Sequence, residues 1–132
     1  MPGPSLKVTH CLICDDVRWE VANKETVVGI YTSGVAIPSV PWVFYASIWM
    51  NVIWSGHGEA DIEIRALDPQ HIQVGETGGH ATAFHQGTES SLTFRGLAFS
   101  IESEGTYTIQ WRMGPGGTWQ TMKTFPIVIP EA

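Results

Sequence analysis

Cys11 and Cys14 stand as a C-x-x-C, a spacing that serves dithiol redox exchange or half of a zinc site. The surrounding residues argue against both. On a strand, positions three apart point to opposite faces, and a redox dithiol usually opens a helix, which nothing here supplies. A structural zinc needs two more ligands, and the chain has no second C-x-x-C and no H-x-x-x-H. We read both cysteines as reduced core residues. Asp15 and Asp16 could join Asp61 or Asp68 around calcium, but no D-x-D-x-D-G loop is present. His80 and His85 share the Glu76–Ser91 stretch with Glu76 and Glu89, a donor set suited to a labile transition metal. The competing and preferred reading is a solvated polar loop. There is no G-x-S-x-G and no defensible Ser-His-Asp order, and Asp61 with Glu63 reads as one acidic strand face. Gly114–Gly117 lacks the Lys-Ser/Thr of a phosphate loop. No catalytic residue, cofactor or metal is assigned, and an enzyme is the less favoured reading.

Binding offers more. The run Val43–Trp54 reads as a strand with Phe44, Ala46, Ile48, Met50, Val52 and Trp54 on one apolar face. A helix is the rival, but the β-branched and aromatic content favours a strand. The opposite face carries Tyr45, Trp49 and Ile53 at spacings of four, with Val43 beside them, an apolar strip of the kind that anchors interfaces. Either that strip is exposed or a second layer covers it. Asp16, Arg18 and Glu20 alternate along a strand and, with Lys24, form either a mixed-charge binding patch or a solvated ion-pair ladder, the latter preferred.

The elements carrying these residues are strands throughout. Lys7–Cys14 forms the first, with Leu6, Val8, His10, Leu12 and Cys14 on one face and Cys11 and Ile13 on the other. Asp15-Asp16 ends it, with Asp15 expected to accept backbone N–H bonds there. Val17–Val21 and Glu25–Tyr31 make a hairpin about Ala22-Asn23-Lys24, with Asn23 suited to positive φ. Glu59–Ala66 alternates strictly, with Ala60, Ile62, Ile64 and Ala66 inward. A turn at Asp68-Pro69 leads into a short strand, His71–Val74. After the long polar loop, Leu92–Ile101 changes parity at Gly96, which predicts a one-residue β-bulge. Tyr107, Ile109, Trp111 and Met113 face inward on the next strand. Tyr107, just after Gly105, is placed either for a tyrosine corner or as an ordinary inward Tyr. Trp119–Ile129 closes the set.

Eight or nine strands with no helical period predict an all-β, immunoglobulin-like antiparallel β-sandwich, a single domain over 1–132 with a flexible lead at 1–5. Composition agrees: 43% of the 132 residues are hydrophobic and 15% charged, with fourteen Gly and eight Pro. The net charge of -6 repels phosphate backbones and anionic lipid, so neither nucleic acid nor membrane is expected as a partner. MPGPSLKVTH has no apolar core of a secretory signal, and the longest apolar run is too short to span a bilayer. A cytoplasmic location is expected.

Cys14, Asp15, Asp16, Val17, Arg18 and Glu20, then Lys24, then Gly29 and Tyr31, read C-D-D-V-R-x-E, a lysine-bearing turn and a strand ending G-x-Y. This resembles a family of small, functionally uncharacterised bacterial β-sandwich proteins. Gly105, Tyr107 and Phe125–Ile129 fit that family's closing strands more loosely. The resemblance implies a fold and brings no activity or site residues. The function expected is a binding or assembly module, with a protein partner or a homo-oligomer formed through the aromatic strand face. The alternatives are a metal-dependent hydrolase or a glycan-type small-ligand binder using residues 76–91.

Overall fold

A computed structural model describes residues 4–56, 58–83, 89–114 and 116–130. These form β1 (Ser5–Glu20), β2 (Lys24–Ile30), β3 (Val35–Ala36), β4 (Trp42–Ser55), β5 (Gly58–Leu67), β6 (Gln73–Ala83), β7 (Glu89–Ile101), β8 (Gly105–Met113) and β9 (Gln120–Val128). All nine lie in one sheet, ordered β2-β1-β4-β7-β6-β5-β8-β9-β3, antiparallel except for β3 on β9. Its two outermost strands, β2 and β3, share no ladder among the described residues. No helix among the described residues is long and apolar enough to cross a membrane.

The sheet folds over on itself. Phe99 on β7 and Phe125 on β9 lie 6.3 Å apart between ring centroids. Four strand spacings of about 4.8 Å would hold them roughly 19 Å apart in a flat sheet. Between β6 and β7 the ladder among the described residues is a single pair, Gly75 with Phe99, which leaves the sheet free to bend there. The enclosed face gathers Ile48, Met50, Ile64, Leu97, Ile101, Ile109 and Ile127, all fully buried. The alternation foreseen on β4, β5 and β8 holds along their buried faces. The bulge at Gly96 holds as well: Ala46 opposes Leu97 while Ile48 opposes Phe94, and Gly96 has φ 77. Tyr107 is buried, and its hydroxyl donates to the carbonyl of Ser103, four residues back, at 2.8 Å.

Three expectations are corrected. First, Asp15-Asp16 does not end a strand; β1 runs unbroken from Ser5 to Glu20. Asp15 lies across from Gly29, which has φ 69, and a side chain there would collide with the Asp15 carboxylate. The hairpin beyond it is present, although Ala22, with φ 64, takes the left-handed conformation expected of Asn23. Second, the faces of β1 are assigned differently. A register shift against β4 between Val8 and His10 moves Leu6 and Val8 to the core side with Cys11 and Ile13, leaving Leu12 and Cys14 on the other. Third, residues 76–91 are not one long loop, and the strand after Asp68-Pro69 starts later than expected. His71, with φ 64, belongs to the turn, β6 runs to Ala83, and β7 begins at Glu89. The glycines that suggested a loop mark close approaches: a Cβ on Gly78 would sit 2.6 Å from the Ile62 carbonyl, and one on Gly79 3.2 Å from the Phe94 ring.

Candidate interaction surface

β1 pairs with β4 only as far as Cys14. From Asp15 it continues with β2 as a two-stranded arm. The Glu25 carboxylate on β2 accepts the indole N–H of Trp49 on β4 at 3.5 Å and the hydroxyl of Ser91 on β7. In sheet order β2 and β7 are three places apart, roughly 14 Å if flat. The arm is therefore folded across the outer face of β4 and β7. Arg95, beside the bulge, donates to Asp16 at 3.2 Å and to the carbonyl of Val17. Ser47 donates to the carbonyl of Asp15 at 3.3 Å, and Val17 of the arm and Ser47 beneath it are both buried.

This arm divides the predicted aromatic strip. Trp49 and Ile53 are half-buried. Tyr45 stays 69% exposed and Val43 48%. Both anticipated states of the face thus occur, covered at one end and open at the other.

The ladder of Asp16, Arg18 and Glu20 is not what the alternation suggested. Asp16 pairs with Arg95 from β7, Glu20 accepts the hydroxyl of Thr26 at 3.2 Å, and Arg18 and Lys24 are exposed without an ion pair among the described residues. The Val17 backbone N–H and then the Arg95 guanidinium hold the Asp16 carboxyl below the ordinary carboxylate range. Asp15 accepts the Tyr31 phenol at 3.0 Å rather than the backbone N–H groups expected. Burial first, and then that bond to Asp15, raise the Tyr31 pKa. Asp15 therefore meets both Gly29 and Tyr31, all three residues of the motif.

The cysteines are free and lie on opposite sides of β1. Burial pushes Cys11 up to about 12, and the same cause raises Cys14, whose thiol donates to the Ser47 carbonyl at 3.5 Å. Neither thiol is set up as a nucleophile. His80 lies on β6 opposite Asp61, with Nδ1 2.8 Å from the Asp61 carboxylate and Nε2 3.5 Å from that of Glu59. Those bonds, Asp61 first, raise its pKa. Its expected companion Glu89 instead accepts the Asn51 amide at 2.6 Å, and His85 lies outside the described residues. Among the described residues no three His, Cys, Asp or Glu side chains are grouped to hold a metal ion.

One cluster had no sequence reading. The guanidinium carbons of Arg65 and Arg112 lie 4.2 and 4.3 Å from the centroid of the Trp119 ring. Arg112 Nε donates to Glu63 at 2.8 Å and Arg65 Nε to Gln110 at 2.9 Å. With Gln73, Glu76 and Thr77 they line a groove of about 550 Å³ on the outer side of β5. Arg65 and Arg112 stand on the outward, alternating positions of their strands. The available signal was a tryptophan just beyond a glycine-rich turn, close to such strands. No protein-family model matches the chain, and no curated protein matches it either.

Proposed function

We propose that the chain is a cytoplasmic, non-catalytic binding or assembly module that pairs with a second copy through the open end of the β4 outer face. Its fold is then the immunoglobulin-like β-sandwich of the uncharacterised bacterial family that its N-terminal motif resembles. Support for the fold comes from the folded-over sheet and from the bond between the Tyr107 hydroxyl and Ser103, the geometry of a tyrosine corner. The observation that carries the function is Tyr45. It stands 69% exposed on an interior strand whose outer face the arm covers further along, with exposed Val43 beside it. A tyrosine on a rigid strand orders few torsions on binding, which suits an interface anchor. The acidic balance of -6 speaks against nucleic acid or anionic membrane as the alternative partner.

Sedimentation equilibrium of wild type against Tyr45→Ser tests this reading. A central anchor is worth about 2 kcal/mol, and a symmetric dimer loses two, which weakens dimerisation by about a thousandfold, with little change in the stability of the monomer because the side chain is exposed. A wild-type chain that stays monomeric at high micromolar concentration refutes self-association.

A second reading, a glycan-type small-ligand binder, draws on the groove beside Glu76 and Thr77, where Trp119 supplies an aromatic ring and Gln73 and Glu76 supply polar groups. It is the weaker reading because two guanidinium groups already occupy that ring.

A further inference from the structure

The arm is docked unevenly along its length. Val17 and Trp19 stand two apart on β1, and Trp19 lies opposite Glu25 in the arm's own ladder, so all three side chains point toward the body. Val17 is buried there, whereas Trp19 remains 66% exposed and Val21, at the turn, 84%. The stem is tied by Val17, by Arg95 on Asp16 and on the Val17 carbonyl, and by Ser47 on the Asp15 carbonyl. Past that stem, among the described residues, every hydrogen bond from the tip to the body ends on one group. That group is the Glu25 carboxylate, which accepts from Trp49 and Ser91. The tip is closed by a polar latch, and closing it covers little of its own apolar surface.

What the latch holds down is Trp49. It shares the outer face of β4 with Tyr45, four residues away, about 13 Å along the strand. With the tip closed it is half-buried, its indole N–H committed to Glu25. Residues 26–58, which include all of β4, contain no Asp, Glu, Lys or Arg. An uncharged strip is where two copies of a chain of net charge -6 meet with least repulsion.

We propose, resting on Tyr45 as the surface through which copies pair, that the arm is an autoinhibitory strap latched by Glu25. Closed, it limits the contact to the Tyr45 end of β4. Opened at its tip, it adds Trp49 to the same contact. A partner copy that takes the Trp49 ring binds only the open form, so the apparent affinity follows the open fraction of each copy.

The test is sedimentation equilibrium of the full chain as wild type, Glu25→Ala, Glu25→Gln, and Glu25→Ala combined with Trp49→Ser. Glu25→Ala is expected to tighten dimerisation at least about tenfold, since both copies gain open population. Glu25→Gln removes the same charge but keeps a neutral acceptor for the indole, and is expected to fall between wild type and Glu25→Ala. Adding Trp49→Ser to Glu25→Ala is expected to cancel the gain. The strap is overturned if Glu25→Ala does not tighten the dimer or if the gain survives Trp49→Ser. It is equally overturned if Glu25→Gln tightens the dimer as much as Glu25→Ala, which marks charge repulsion as the cause. A dimeric wild type with no gain in Glu25→Ala removes the strap and leaves the Tyr45 contact. A monomeric wild type beside a dimeric Glu25→Ala chain removes Tyr45 as a sufficient anchor and leaves the strap. Monomers throughout overturn both.

Discussion

Removing the Glu25 carboxylate by Glu25→Ala is expected to release the arm while leaving the core intact. Glu25 is half-buried and receives two donors, the Trp49 indole and the Ser91 hydroxyl. Hydrogen bonds to charged groups contribute roughly 1.5 to 3 kcal/mol each when well formed. The Trp49 bond is long at 3.5 Å and the site is partly solvated, so about 2 kcal/mol for the pair is the figure we adopt. Asp16 with Arg95 remains as a second tether, so the loss falls on local opening of the arm. About 2 kcal/mol corresponds to roughly thirtyfold faster amide exchange. That acceleration should appear at Thr26–Val28 and leave Ile48 and Ile109 at the global rate. Because the chain has six tryptophans, total fluorescence is a poor probe, and the Trp49 indole N–H is best followed by NMR, where it should move toward the solvated shift. Unchanged exchange along β2 would refute the docking argument. Uniform acceleration of all protected amides would show that the arm is not a separate unit.

Two further outcomes are expected. Tyr107→Phe removes the donor to the Ser103 carbonyl from a buried ring and should cost about 1 to 1.5 kcal/mol in urea unfolding with an unchanged m-value. An effect below a few tenths would deny the corner a stabilising role. His80 has its folded pKa raised above 6.5 by Asp61 and Glu59. Its contribution to stability is therefore fully present below that unfolded value and fades as pH rises through the folded one. Asp61→Asn should lower the pKa read by NMR titration, and no change would remove the pair.

Sequence legibility followed from how each feature marks the chain. The strict alternation in Glu59–Ala66 and the parity flip at Gly96 are periodic signals, and both strands and bulge were readable from them. The register shift in β1 left no such mark, because KVTHCLIC is apolar on both faces and a one-residue slip changes nothing visible. Residues 76–83 were misread because glycine has two uses, freedom in loops and close backbone approach in sheets, and composition does not separate them. The candidate surface was half legible. Tyr45 and Trp49 could be picked from their spacing. Their different fates depend on Glu25 and Arg95, single charged residues whose partners lie far along the chain.

The position of β7 has a consequence for how the protein is made. β4, the most apolar strand, pairs with β1 on one side and β7 on the other, so its second partner does not exist until synthesis has passed Ile101. β5 and β6 are completed in the meantime and pair with each other, as a local hairpin does readily. A nascent chain therefore carries Phe44–Trp54 with one unsatisfied edge for the time needed to translate the whole β5–β6 hairpin. Variants that slow elongation between Ser55 and Glu89 would prolong that exposure and lower the soluble yield without changing the stability of the finished protein.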